Sequence, residues 1–335
     1  MASSLQIRSG ISRQLRTLVD SGRFREALSL YLETCETETP SPECRLLAGK
    51  AAARLGEFEV SGRLARSARD SFMSDCDPEG ILDATNLLGV IALERGKVRD
   101  AEAHFAAMAS LAETKGRPGF IARSAQNLGH IALLRGDVER ARELYQQALA
   151  AFQSGGDGRG TAETEHYLAI VLHETGQTGP ALAASERAIE AAEHRGEAGL
   201  LAMTLLGRAA LLVAEGRFRD AEADIERAQL LSWAEGSRRH RLQAERLTAL
   251  IELRRGEPGA AYRRAAMVQA RATESQYAVL AADARSLAAL ALLADGRHTE
   301  AMAARDAATV ALRTLGATGR LERFEREWAV PHRPL

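Results

Sequence analysis

The sequence has 335 residues and a net charge of −1, from 44 basic and 45 acidic side chains, and only 4% of it is aromatic. This balance argues against a general nucleic-acid or membrane-surface role and leaves little material for stacking on bases. The three cysteines, Cys35, Cys44 and Cys76, form no CxxC motif, so neither a disulfide framework nor a zinc ribbon is indicated. No segment has the apolar length of a signal peptide or of a membrane span, which takes ~18 residues. We therefore predict a cytoplasmic protein.

Glycines divide most of the chain at a regular interval of 40 residues. The turn glycines are Gly22, Gly56, Gly96, Gly136, Gly176, Gly216, Gly256 and Gly296, of which all but the first are evenly spaced. A second series lies halfway between them, at Gly116, Gly156, Gly196, Gly236 and Gly316. Glycine ends helices because it takes the left-handed conformation without a Cβ clash. Two stops in each period predict two helices per repeat, and an unbroken period is typical of a solenoid.

The predicted elements follow in chain order. Residues 1–8 are expected to be a flexible tail, and 9–315 a solenoid of about eight antiparallel helix pairs. Ser41 before Pro42 and Asp77 before Pro78 predict helix starts, because a capping oxygen followed by proline suits the first turn. The predicted helices are 9–20 and 24–37, then 78–95 and 98–115, 118–135 and 138–154, 160–175 and 178–195, 198–215 and 218–235, 238–255 and 258–274, and 276–295 and 298–315.

The end of the chain is predicted to cap the solenoid. Leu321, Phe324 and Trp328 share one face of a helix over 316–330, and charged residues occupy the other faces. Such a helix would cover the last repeat and present a polar outer side. Residues 331–335 are expected to be a tail.

Small residues flank each turn. Seven residues before the turn glycine stand Gly89, Gly129, Ala169, Ala209, Ala249 and Ala289. Five residues after it stand Ala27, Ala101, Ala141, Ala181, Ala221, Ala261 and Ala301. In three repeats an aromatic residue follows four positions later, at Tyr31, Phe105 and Tyr145. The small side chains predict close approach of the paired helices, with the aromatic rings filling the space between repeats.

This pattern resembles the tetratricopeptide repeat, in the 40-residue form of kinesin light chain and of sensor domains in bacterial regulators. The resemblance implies an all-α, right-handed α-solenoid whose first helices line a concave groove and whose second helices form the convex back. It also implies a module that binds proteins or peptides and carries no catalytic residues. The sequence departs from the family where Ser185, Ile225, Ala265 and Arg305 replace the aromatic residue.

Groove residues can be projected from the helical spacing, since positions 13, 10, 6 and 3 before each turn glycine recur about once per turn. The polar candidates for partner binding are Asp83, Asn86, Arg123, Gln126, His130, Glu163, His166, His173, Gln243 and Arg246. The pair before Gly216 is apolar instead, with Met203, Leu206, Ala210 and Val213. Amide and guanidinium groups in such a row can hold an extended peptide by its main chain. The alternative is a solvated helix face without a ligand.

A metal or catalytic site is a second interpretation of the histidines. Glu163 and His166 stand at i, i+3, a spacing that metal ligands use, with His130 on the neighbouring helix. The same groups could transfer protons. However, His166 and His173 are about 10 Å apart along the helix, too far to share one metal ion, and no second carboxylate–histidine pair completes a site.

Two other motifs are weak. The glycines of 155–160 resemble a phosphate loop only by their number, because no strand precedes them, and we interpret them as a linker. Arg238, Arg239 and Arg241 form a short basic cluster at a predicted helix start, which can simply be solvated.

The sequence therefore predicts a non-enzymatic scaffold or adaptor that binds a protein or peptide in its groove. A regulatory sensor that closes on a peptide or small molecule is the alternative, and an enzyme or metal site around Glu163, His166 and His130 is a third hypothesis. We expect no cofactor, no bound metal and no direct contact with nucleic acid or membrane. The ligand and the oligomeric state stay open.

Overall fold

The computed structural model describes residues 2–37 and 39–329, and these residues form α-helices joined by short turns. The helices are α1 (Ala2–Asp20), α2 (Phe24–Thr37), α3 (Pro42–Leu55), α4 (Phe58–Ser74), α5 (Pro78–Glu94), α6 (Val98–Thr114), α7 (Pro118–Arg135), α8 (Val138–Ser154), α9 (Gly158–Glu174), α10 (Thr178–Arg195), α11 (Ala198–Ala214), α12 (Phe218–Glu235), α13 (Arg238–Arg254), α14 (Pro258–Glu274), α15 (Ala278–Ala294), α16 (His298–Leu315) and α17 (Thr318–Ala329). The predicted all-α solenoid of eight helix pairs with a C-terminal capping helix is confirmed.

The helices end where the glycines predicted. Gly136, for example, has φ 84°, and its N–H donates back to the carbonyl of Leu133. Where the halfway series lacks a glycine, Cys76 and Gln276 take the same left-handed conformation, with φ 53° and 58°. A side chain in that conformation costs ~1 kcal/mol, so the repeat geometry is kept against local preference.

The predicted helix starts are also in place. Ser41 Oγ accepts a hydrogen bond from the N–H of Cys44, and Asp77 Oδ1 accepts from the N–H groups of Glu79 and Gly80. Helix α1 begins at Ala2 rather than near residue 9. The flexibility expected for 1–8 stays a prediction, and the predicted tail 331–335 lies outside the described residues.

The helices form two layers. Each helix packs against its neighbours in sequence, and the first helices of successive repeats also touch one another, as α7, α9, α11, α13 and α15 do. The first helices therefore make a continuous inner layer. We call their side away from the second helices the inner face.

Within two of the helix pairs, an aromatic ring of the second helix packs directly against a glycine of the first helix. A Cβ on Gly89 of α5 would lie 2.4 Å from the Phe105 ring of α6, and one on Gly129 would lie 2.8 Å from the Tyr145 ring. Both rings are fully buried. The small residue before the turn thus admits the large one after it, which agrees with the close approach predicted for the paired helices.

The solenoid coils far enough for distant repeats to touch. Helix α13 packs on α3, and α17 packs on α7 as well as on α15 and α16. One core cluster joins Leu46 and Phe58 of the second repeat to Leu242, Tyr277 and Leu280. The cap therefore covers more than the last repeat, because it also seals against the turn after α7. Coiling on this scale depends on contacts between distant repeats, which one repeat's pattern does not contain.

None of the helices in the described part of the chain combines the length and apolarity needed to span a bilayer.

Candidate functional site

The ten polar candidates all lie on first helices, namely α5, α7, α9 and α13. Gln126 and His166 are buried, with 3% and 8% of their surface exposed, and the other eight are half-buried. The residues at the projected positions therefore lie at the boundary between the core and the inner face. The four apolar residues projected onto the inner face before Gly216 are split. Leu206 and Val213 are buried in the core, and Met203 and Ala210 are half-buried.

An ion-pair network occupies part of the inner face on α7 and α9. Arg123 lies 3.1 Å from Asp157 and 3.7 Å from Glu163, measured between side-chain nitrogen and oxygen. Arg159 lies 3.0 Å from Glu163 and 2.6 Å from Glu197. Burial alone would raise the pKa of Glu163, but Arg159 and Arg123 outweigh it and lower that pKa. Glu163 is therefore a carboxylate held by arginines, with its charge already compensated.

The histidines surround a tyrosine. The ring centroid of Tyr167 lies 5.2 Å from that of His130 and 5.0 Å from that of His166, and it stacks on Tyr145 at 5.3 Å. Burial, with Arg239 adding to it, lowers the pKa of His130 to about 3 and of His166 to about 4. Both imidazoles are neutral at pH 7 and are weak bases, because efficient proton transfer needs a pKa near the working pH.

The histidine group does not form a metal site. Within 2–37 and 39–329, no three histidine, cysteine or acidic side chains are grouped so that they could hold a metal ion. His166 instead packs on Gly207, where an added Cβ would lie 2.2 Å from the imidazole ring. The ring is fixed by packing, which suits a structural role on the inner face.

Several hydrogen-bonding groups of the inner face have no protein partner in the described residues. Gln126 Nε2 and His173 Nδ1 are buried without a hydrogen bond, although buried polar atoms are nearly always bonded. Arg246 reaches only Gln243 Oε1, at 3.3 Å. Burial lowers the pKa of Arg246, while Asp283, which pairs with Arg320 rather than with Arg246, opposes the shift.

Arg54, at the end of α3, is a further guanidinium without an ion-pair partner in the described part of the chain. Burial lowers its pKa, and the nearby Arg159 lowers it further. Its side chain nevertheless keeps an exposed surface. In the described residues neither guanidinium is paired with a carboxylate; Arg54 is exposed and Arg246 is half-buried.

Four further residues of this face were missed by the offsets. Asn127 donates from Nδ2 to Asn86 Oδ1 at 2.8 Å. Asn127 and Tyr167 both stand nine residues before a turn glycine, one helical turn from position 13, so this offset was a usable signal. No such sequence signal pointed to Arg54 and Arg239, because they reach this region only through the coiling of the solenoid.

Some candidates already have partners. Lys50 Nζ lies 3.0 Å from Asp83, which ties α3 to α5. Asp83 and Asn86 lie on α5, the group around Glu163 on α7 and α9, and Gln243 with Arg246 on α13. The structure therefore places the ten candidates on one inner layer, spread over four first helices.

Comparison with known proteins identifies the repeat. Residues 120–194 match the family model of the tetratricopeptide repeat. A search of curated proteins finds no match.

Solved structures with similar folds cover almost the whole chain. A Rap protein complexed with Competence and Sporulation Factor is 14% identical, with a TM-score of 0.61 over 96% of each chain. NprR in complex with its cognate peptide NprX is 15% identical, with a TM-score of 0.62 over 96% of this chain and 95% of that one. Aspartyl phosphate phosphatase F from Bacillus subtilis is 12% identical, with a TM-score of 0.51 over 97% and 94%. These likenesses show a shared fold, and with the family match they confirm the resemblance predicted from the repeats.

Proposed function

We propose that this chain, which is a tetratricopeptide-repeat protein, is a non-enzymatic adaptor or regulator that holds a short peptide on its inner face. The observation that carries the proposal is the set of unpartnered polar groups there. In the described residues Gln126 Nε2 has no hydrogen-bond partner, Arg246 reaches only Gln243, and the exposed Arg54 has no ion pair. A ligand that offers acceptors to these donors would repay the cost of enclosing them.

A peptide matches this face in chemistry. An extended chain presents one N–H and one C=O per residue, and a side-chain amide can bond to both kinds of group. The amides of Asn86, Gln126, Asn127 and Gln243 lie on α5, α7 and α13. The guanidinium groups of Arg54 and Arg246 suit a carboxylate, from the peptide's C-terminus or an acidic side chain. Met203 and Ala210 offer a small apolar surface for an aliphatic side chain.

The solved structures support the class of ligand. The Rap and NprR structures are described as complexes with a named factor and with a cognate peptide. At 14% and 15% identity they cannot transfer individual residues, so the assignment of side chains depends on the contacts in this chain.

An enzymatic role has less support. A phosphatase shares the fold, so the fold by itself does not decide between binding and catalysis. The residues argue for binding, because Glu163 is engaged by two arginines and His130 and His166 have pKa values of about 3 and 4. Neither kind of group is matched to proton transfer near pH 7.

The test is a selection from a library of random short peptides on the immobilised protein. Enriched peptides would be synthesised and titrated calorimetrically into wild type, into Arg54→Gln/Arg246→Gln, and into the control Arg63→Gln/Arg313→Gln. The control removes two exposed arginines from the second helices α4 and α16. We expect the inner-face variant to bind at least tenfold more weakly and the control to bind like wild type. Failure to enrich any peptide, or equal affinity for all three proteins, would contradict the proposal.

The sensor form of the proposal has its own readout. Helices α5 and α13 belong to distant repeats, so a peptide that touches both would draw those repeats together. X-ray scattering of the free and peptide-bound protein should then show a smaller radius of gyration on binding. An unchanged radius would leave a rigid adaptor as the function.

A further inference from the structure

A cleft lies apart from the inner face, where the first repeat meets the seventh. Its volume is about 450 Å³, within the range of small-molecule sites. Arg25, Leu28 and Leu32 of α2 line one side, and Arg238 and Arg241 at the start of α13 line the other. None of the ten groove candidates lines it. The basic cluster noted in the sequence at 238–241 thus becomes part of a cavity only because the solenoid coils.

The charge in this cleft is unbalanced. Three arginines face one carboxylate, that of Glu57. In the described residues Arg25, Arg238 and Arg241 form no ion pair; Arg238 donates to Ser275 Oγ at 3.1 Å, and Arg241 stacks over the Trp233 ring at 4.3 Å. Burial lowers the pKa of Arg241, and the charges of Arg238 and Arg25 lower it further. The three guanidinium groups are therefore close enough to repel one another.

Three leucines form the apolar part of the lining, beside Ser29 and Gly236. Leu28, Leu32 and Leu55 belong to the cleft, and Leu32 is 58% exposed. Trp233, whose ring lies beneath Arg241, is 69% exposed. Apolar side chains that are grouped in a cleft, rather than scattered singly, mark ligand-binding sites. An anion lowers the repulsion among the arginines, and an apolar body attached to it covers the leucines.

We infer that this cleft binds a small anion that carries an apolar group, with a phosphate or carboxylate head among Arg25, Arg238 and Arg241 and an aliphatic or aromatic body against Leu28, Leu32 and Leu55. Arginine suits such heads because its planar fork can donate two parallel hydrogen bonds. The ligand bridges α2 and α13, so its binding stabilises the contact between the first and seventh repeats. None of the arginines of this site belongs to the peptide site proposed above.

The probe is hexyl phosphate, titrated calorimetrically beside inorganic phosphate and hexanol. We expect saturable binding of hexyl phosphate at least tenfold tighter than that of either fragment, because both halves of the cleft contribute. Arg25→Gln and Arg238→Gln, on opposite sides of the cleft, should each weaken it about tenfold. Leu32→Ser should weaken hexyl phosphate while leaving inorganic phosphate unchanged.

Two controls separate this site from others. Arg254→Gln lies at the far end of α13, about 20 Å from Arg241 along the helix, and should leave the affinity unchanged. Arg246→Gln, on the inner face, should also leave it unchanged. The inference is overturned if hexyl phosphate does not saturate, if the cleft variants bind it like wild type, if hexanol binds equally well, or if Arg246→Gln is the variant that loses binding.

Discussion

Arg239 and Glu94 form an ion pair between two turns of the solenoid, with Arg239 Nε 2.9 Å from Glu94 Oε1. Glu94 ends α5 in the third repeat, and Arg239 begins α13 in the seventh. Glu94 raises the pKa of Arg239 against the effect of burial. The pair therefore joins distant repeats where packing alone would leave a guanidinium without a partner.

We predict that Glu94→Gln loosens this contact. Both side chains are partly exposed, 42% for Arg239 and 25% for Glu94, so the expected loss in free energy of unfolding is about 1 kcal/mol. Urea denaturation measures it, and X-ray scattering should show a larger radius of gyration. The matched control is Glu102→Gln, which removes a bidentate pair with Arg135 between adjacent repeats. The control should lose similar or less stability without expanding, and expansion of both variants would rule out a special role for Glu94.

The cap makes a second contact of this kind. Gly319 in the first turn of α17 lies against Gly136, and a Cβ on Gly319 would come within 2.4 Å of Gly136 Cα. Backbone atoms cannot move aside as a flexible side chain can. We predict that Gly319→Ala separates α17 from α7 and lowers the free energy of unfolding by about 1–3 kcal/mol, the usual cost of overpacking.

Gly179 is the matched control for Gly319. It occupies the same position in the first turn of α10, and a Cβ there would meet nothing within 4 Å. Gly179→Ala should raise stability by up to about 1 kcal/mol, because alanine favours the helix more than glycine does. Thermal denaturation of the two variants should therefore shift in opposite directions. A stabilised Gly319→Ala protein would mean that the cap does not sit on this turn.

Enclosed histidines predict that stability falls in mild acid. Burial lowers the pKa of His130 to about 3, of His166 to about 4 and of His240 to about 3, whereas an unfolded histidine titrates near 6.5. Above pH 6.5 neither state binds the proton, so the stability is fully present. As the pH falls from 6.5 toward 4, the unfolded chain takes up protons that the folded chain does not, and each histidine costs up to about 1.4 kcal/mol per pH unit.

Urea denaturation between pH 4.5 and 7.5 measures this effect as a slope. We expect His240→Asn to have a shallower slope than wild type below pH 6.5, whatever its stability at neutral pH. His298→Asn, which removes an exposed histidine from α16, should keep the wild-type slope. Parallel slopes for all three proteins would show that His240 titrates normally in the folded state.

The sequence was sufficient for the local fold because each signal acts over a few residues. A left-handed glycine such as Gly136 and a capping side chain such as Asp77 fix helix ends without help from distant parts of the chain. The assignment of Asn86 and Arg246 to the inner face rests on a related argument, since helical spacing puts each on one side of its helix. Register errors stayed within the first helices, as with Leu206, which faces the core.

Contacts between distant repeats could not be predicted in this way. The coiling angle is a sum of small rotations at every interface between repeats, and no single motif specifies it. Three features depend on that sum: the ion pair of Arg239 with Glu94, the contact of Gly319 with Gly136, and the grouping of three arginines around the cleft. The ion pair of Glu163 with Arg159 escapes prediction for a different reason: it is a local contact within α9, but Arg159 lies in a glycine-rich stretch that reads as a linker.

The interlocked pairs give the last prediction, because residue size is matched between the two helices of these pairs. Where the small residue is glycine, at Gly89, it faces Phe105; where it is alanine, at Ala209, the equivalent position is Ile225. A Cβ on Gly89 would overlap the Phe105 ring, so Gly89→Ala should lower the free energy of unfolding by about 1–3 kcal/mol despite the better helix propensity of alanine.

In Gly89→Ala/Phe105→Ile the clash is removed, and the pair takes the composition of the sixth repeat, where both side chains share one core cluster. The double variant should therefore lose at least about 1 kcal/mol less than the sum of the two single losses. Urea denaturation of the four proteins gives that coupling, and strictly additive losses would show that the glycine and the ring do not constrain each other.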